Sequence, residues 1–123
     1  MKEITAIIRP RKVGATREAL EALGFPSQTA MAVLGRGRQR GLAGEVEVDL
    51  PLEALERGRL AAARYVPKRM MTIVLEDSEV ESAVQAIVRV NQSGQIGDGK
   101  IFVSPIEDAL RVRTMESGEF ALN

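Results

Sequence analysis

Apolar and polar positions alternate at the start of the chain. Ile4, Ala6 and Ile8 share one face of an extended segment and Ile7 lies on the other, until Arg9-Pro10 stops it. The period then changes. Val13, Thr16, Leu20 and Leu23 recur at helical spacing, and Gly24 stands where a left-handed helix stop belongs. Phe25-Pro26 turns the chain into a second extended segment, in which Thr29, Met31 and Val33 alternate with Gln28, Ala30 and Ala32. Met70 to Leu75 predicts a third strand. Ser78-Glu79-Val80-Glu81 has the form of a capping box, with Ser at the cap and Glu at the third helical position. Val80, Val84, Ile87 and Val88 then make an apolar helical face. Ile101-Phe102-Val103 and Ala109 to Arg113 predict short strands broken around Pro105, and Thr114 to Asn123 a polar, flexible tail.

The order is β-α-β, a long excursion, then β-α-β. Two such halves predict an α+β chain: a ferredoxin-like βαβ-βαβ sandwich in a single domain over 1–123, with a split, mostly antiparallel four-stranded sheet and both helices on one face. The other face must meet solvent or another subunit. Ile7, Met31, Ile73 and Phe102 are apolar enough to predict subunits. The excursion is polarised. Leu42 to Glu56 carries five acids and no base, and Arg57 to Arg69 carries five bases and no acid. No long apolar stripe forms there, and a loop of that length inside a compact domain is usually functional.

Composition narrows the chemistry. With 17 basic and 17 acidic residues in 123, the chain is not a strongly basic nucleic-acid module. The absence of Cys and His removes thiol nucleophiles, Cys-ligated metals, imidazole bases and the Ser-His-Asp triad. Only four aromatic residues, Phe25, Tyr65, Phe102 and Phe120, are present, which weakens a base-stacking sheet. No signal peptide is evident and no apolar run approaches the ~20 residues of a membrane helix. The expectation is a soluble cytoplasmic protein without membrane insertion.

Two glycine-rich segments remain, Gly35-Arg36-Gly37-Arg38-Gln39-Arg40-Gly41 and Ser93-Gly94-Gln95-Ile96-Gly97-Asp98-Gly99-Lys100. Both offer unshielded backbone N–H groups beside fixed positive charge, with Arg111 and Arg113 two apart on a predicted strand. Such a set fits an anion, and a nucleoside triphosphate is the natural guess. Neither segment is a Walker loop or a dinucleotide fingerprint. Both could equally serve as turns, and Arg111 and Arg113 could pair with Glu107 or Asp108. Asp98 beside Lys100, with no partner base, is a thin catalytic apparatus, so an enzyme is not expected.

These residues resemble a family. The Gly35 to Gly41 segment looks like the opening of the long T-loop of PII nitrogen-regulatory signal proteins. Ser93 to Val103, continued by Arg111-Val112-Arg113-Thr114, is similar to that family's C-terminal signature, and Met1 to Pro10 also fits. The likeness spans nearly the whole chain outside residues 42–66, the T-loop excursion. Arg64-Tyr65-Val66-Pro67-Lys68-Arg69, Phe25-Pro26-Ser27 and Val103 to Asp108 resemble the nitrogenase-associated branch, in its longer-looped second member.

The resemblance implies a homotrimer, or a mixed assembly with a sibling subunit, that binds ATP or ADP in clefts between subunits and 2-oxoglutarate together with Mg²⁺-ATP. It implies that Arg38, Lys100, Arg111 and Arg113 hold phosphates, and that Thr29, Gly35, Gly37, Gly97, Asp98 and Gly99 line the nucleotide cleft. Gln39 would ligate Mg²⁺ and help place 2-oxoglutarate, with backbone N–H groups from Gln39, Arg40 and Gly41, and Lys68 would pair with a carboxylate of that acid. The implied target is the dinitrogenase component of nitrogenase. An ammonium transporter, another metabolic enzyme or slow ATP hydrolysis are the alternatives. The family's modifiable loop tyrosine has no match, since the one tyrosine, Tyr65, lies at the loop base.

Overall fold

The computed structural model describes residues 1–37 and 65–122. The order is β1 (Lys2–Ile8), α1 (Val13–Ala22), β2 (Thr29–Gly35), β3 (Val66–Leu75), α2 (Val80–Asn91) and β4 (Lys100–Pro105). The strands form one sheet in the order β2-β3-β1-β4, and each neighbouring pair is antiparallel. This is the predicted split βαβ arrangement.

Register decides which side chains form the core. Ile4 pairs with Ile73, and Ala6 with Met71. These four are buried, together with Ile8 and Leu75, against Leu20 of α1 and Ala83 and Ile87 of α2. Ile4, Ile8, Leu20 and Ile87 are almost wholly removed from water. Each such side chain contributes roughly 1.5–3 kcal/mol of transfer free energy. Ile73 therefore faces the helices, a correction to its expected place on the open face. It lies directly opposite Ile4, and a period of two leaves it no choice. Ile7 and Met70 are opposite each other on the uncovered face, and Met31 and Phe102 lie there too, both more than half exposed.

The glycine stop after α1 holds. Gly24 has φ 89°, and its N–H reaches the carbonyl of Glu21. Four expectations change. The third strand begins at Val66, not Met70. Pro67 lies beyond Arg69, the last residue of β3 that β1 accompanies, so it is flanked by β2 alone. The capping box does not form. Asp77–Glu79 makes a 3-10 turn that contains Ser78, and Asp77 instead binds the chain's terminal ammonium at 3.1 Å. On α2, Ile87 is buried and Val80 and Val84 pack against the core as expected, but Ala83, Ala86 and Asn91 complete the buried face and Val88 turns outward. Asn91 is there because its Nδ2 bonds the Ile87 carbonyl at 2.8 Å and the buried Thr16 hydroxyl of α1 at 3.0 Å. Finally, Ala109 to Arg113 is not a strand. It makes one bridge, Leu110 to Ser117, around a turn, and a 3-10 turn follows at Gly118–Ala121.

Candidate functional site

The site grows from the end of β1. Ile8 closes the strand, and Arg9 keeps an extended backbone before Pro10 opens a 3-10 turn. Its side chain is only 12% exposed. One arm donates to Asp98 Oδ1 at 2.7 Å, and the other donates to the carbonyl of Ile96 at 3.0 Å. Both acceptors belong to the glycine loop that joins α2 to β4.

Asp98 organises that loop from within. Its Oδ2 accepts the N–H groups of Ser93 at 2.7 Å and Gly94 at 2.9 Å, and the Ser93 hydroxyl donates to Oδ1. The Ser93 hydroxyl, then the Arg9 guanidinium and the Ser93 N–H, hold the Asp98 carboxyl far below the usual carboxylate range. It is an anion whose partners are all internal.

Lys68 ties the loop from the neighbouring strand. It is 7% exposed, and its ammonium donates to the carbonyl of Gly97 at 2.8 Å. Gly35 lies beside it: a Cβ there would come within 3.3 Å of Lys68 Cγ. Gly99 is the closest approach of all. With φ 117°, it lies against β1 so tightly that a Cβ would sit 2.0 Å from the carbonyl oxygen of Ile7. Glycine is required here for room and for backbone conformation alike. Lys100 then opens β4 opposite Ile7, on the uncovered face of the sheet.

The structure thus brings Lys68, Gly35, Gly97, Asp98, Gly99 and Lys100 to one end of the sheet. Gly37 follows just beyond β2, and Arg38, Gln39, Arg40 and Gly41 lie outside the described residues. Thr29 is elsewhere. It pairs with Thr72, six residues up β2 from Gly35, about 20 Å along the strand. Arg111 and Arg113 also stand apart. β4 carries the chain to the other end of the sheet, where Ile106 bonds the Met1 carbonyl. Beyond it, Arg111 is held by Glu116 at 3.1 Å and by the Phe120 carbonyl at 3.1 Å. The expected shared strand face for Arg111 and Arg113 is replaced by a turn, and neither expected acid, Glu107 or Asp108, is the partner of Arg111. Arg9 and Ser93 were missed by sequence reasoning. Arg9 reads as a strand terminator, and its partner is 89 residues away.

The family model described as nitrogen regulatory protein P-II matches residues 1–116. The chain belongs to the PII family. Its relatives place this PII protein in the nitrogenase-associated branch. It is 56% identical over 122 residues to a "Nitrogen fixation nifHD region GlnB-like protein 2" of Methanobacterium ivanovii, covering 99% of both chains. It is 51% identical to the protein of the same name from Methanothermobacter marburgensis, over 99% of this chain and 100% of that one. The fold of this PII protein matches the crystal structure of Arabidopsis thaliana PII bound to citrate with a TM-score of 0.74 and 31% identity. That match covers 98% of this chain and 88% of the other.

Loop, lysines and arginine form a basic, donor-rich end that suits an anion. Among the described residues, no group of three or more acids could hold a metal ion, and no helix is long and apolar enough to cross a membrane.

Proposed function

We propose that this PII protein is a metabolite sensor that regulates nitrogen fixation. It binds ATP or ADP at the 93–99 loop, adds 2-oxoglutarate beside Lys68 when the nucleotide is Mg²⁺-ATP, and acts on the dinitrogenase component of nitrogenase through residues 42–66. In this reading ATP is a signal and not a substrate, and the working unit is a trimer in the cytoplasm, of one chain or of two sibling chains.

The observation that carries the reading is the Lys68 ammonium on the Gly97 carbonyl. One side chain joins the expected effector position to the expected phosphate loop. A carboxylate that draws Lys68 toward itself must loosen or re-aim that bond, so each ligand alters the site of the other. Such coupling is reciprocal. Glycine N–H groups with Lys100 fit phosphate, as Gly99 leaves no space for a side chain between loop and strand. Mg²⁺ would be held by Gln39 and by phosphate and keto-acid oxygens, an all-oxygen set suited to that ion. The division of the cations has a consequence. Lys68 and Lys100 stand at one end of the sheet, while Arg111 and Arg113 follow the strand that leaves at the other. A site that uses all four takes Arg111 and Arg113 from a neighbouring subunit. The names of the relatives from the nifHD region support nitrogen fixation as the process controlled.

The test is calorimetric titration of 2-oxoglutarate into the purified protein, once with Mg²⁺-ATP and once with Mg²⁺-ADP. Binding with Mg²⁺-ATP alone, weakened at least tenfold in Lys68→Ala, is the expected result. Nucleotide binding with no response to 2-oxoglutarate would overturn the effector assignment. A pull-down on nitrogenase components with and without the acid separates this target from an ammonium transporter or another enzyme.

A further inference from the structure

The 93–99 loop is a phosphate cradle in the proposed function, and the role inferred for its two fastening residues rests on that reading. A trans peptide sets the carbonyl of one residue and the N–H of the next on opposite sides of the chain. The described residues contain no cis peptide. The Ile96 carbonyl is held by Arg9 and the Gly97 carbonyl by Lys68. The N–H groups of Gly97 and Asp98 are therefore turned away from those two cations. Two consecutive donors are aimed by fixing the two carbonyls behind them.

Arg9 does more than hold Ile96. The same guanidinium holds Asp98, and Asp98 gathers the N–H of Ser93, the N–H of Gly94 and the Ser93 hydroxyl at the other end of the loop. One side chain from the end of β1 thus fastens both the beginning and the crest of the loop. Its own charge is cancelled by Asp98, so the pair brings no net charge to an incoming phosphate.

We propose that Arg9 and Asp98 are positioning residues for nucleotide binding, which hold the loop's N–H groups in their receiving direction without touching the nucleotide. Positioning and simple charge make opposite predictions. Asp98→Asn removes a negative charge beside the phosphates. Charge alone then gives tighter binding, whereas a lost clamp gives weaker binding. Arg9→Lys keeps the charge. A single ammonium does not reproduce the two-armed fork that spans Asp98 and Ile96. Charge alone then gives no change, and a lost clamp again weakens binding.

The experiment is titration of Mg²⁺-ATP into the wild type, Asp98→Asn and Arg9→Lys at two salt concentrations. Amide hydrogen exchange over 93–99, measured without nucleotide, accompanies it. The expected result is a dissociation constant raised about tenfold in each variant, the scale of one lost charge-assisted bond. In Arg9→Lys the salt dependence stays that of the wild type, because the charge is kept. Exchange at 93–99 rises while that of β1 and β3 does not. Arg9→Lys carries the test if Asp98→Asn fails to fold. Tighter binding by Asp98→Asn, or unchanged binding and exchange in Arg9→Lys, would overturn the proposal. A wild type that binds no Mg²⁺-ATP would overturn the functional reading and this one with it, a result distinct from equal binding by all three proteins.

Discussion

Two segments that the proposed function assigns to the nucleotide are built in contrasting ways. The 93–99 loop is fastened to distant parts of the sheet: Arg9 reaches across 89 positions and Lys68 across 29. The segment from Ala109 to Leu122 is fastened mostly to itself. Arg111 pairs with Glu116 five residues on, the Met115 N–H returns to the Arg111 carbonyl, and the Gly118 N–H reaches Ala109. Long-range ties let the folding of the whole sheet set the loop's shape. Local ties make a unit that keeps its own form independently of the sheet. Leu110, Val112, Met115 and Phe120, all exposed, give that unit an apolar surface to offer.

The strongest way to break the contrast is Gly99→Ala. The new methyl would meet the Ile7 carbonyl, so either the loop or the pairing of β4 with β1 must give way. The expected cost is about 4 kcal/mol of stability, read from denaturant unfolding, with nucleotide binding lost as well. A change under ~1 kcal/mol would show that the loop is not seated as described.

Arg111→Ala probes the other segment. Its ion pair is partly exposed, so stability should fall by less than about 1 kcal/mol. Affinity for Mg²⁺-ATP should nevertheless drop about tenfold, the scale of a lost phosphate contact. Co-refolding Arg111→Ala chains with Lys100→Ala chains sharpens the point. Part of the binding returns if each site draws on two subunits, and none returns if each chain binds alone.

The smallest expected effect is with pH. The Asp98 carboxyl sits below its ordinary value of 3.8, so its contribution to stability is complete above that value. It declines only as pH falls below 3.8 toward the lowered folded-state value. Unfolding curves taken down through that window should lose stability with a slope that Asp98→Asn flattens. Identical slopes in the two proteins would remove Asp98 as the group responsible.

Much of the fold was legible because its signals are local. The alternation of Ile4, Ala6 and Ile8 named the core face of β1, and Gly24 marked the end of α1 with the φ it requires. The errors share a cause. Ser78-Glu79-Val80-Glu81 satisfies the spacing of a capping box, but a 3-10 turn occupies Ser78 first. Ala109 to Arg113 alternates like a strand, yet no strand among the described residues lies beside it. The third strand starts at Val66, four residues before the expected Met70. The glycine loop was visible as a donor-rich segment, and Gly97, Asp98, Gly99, Lys100 and Lys68 do come together. What holds it was not visible. Nothing in the neighbourhood of Arg9 announces a partner in the last third of the chain, and a buried lysine such as Lys68 is recognised only once its acceptor is seen.

The Arg9–Asp98 pair also has a meaning in the order of synthesis. Arg9 is made 89 positions before its partner. A chain interrupted anywhere in the excursion carries the arginine without the loop. The loop cannot be fastened until synthesis has passed Asp98, so every shorter copy lacks a set loop.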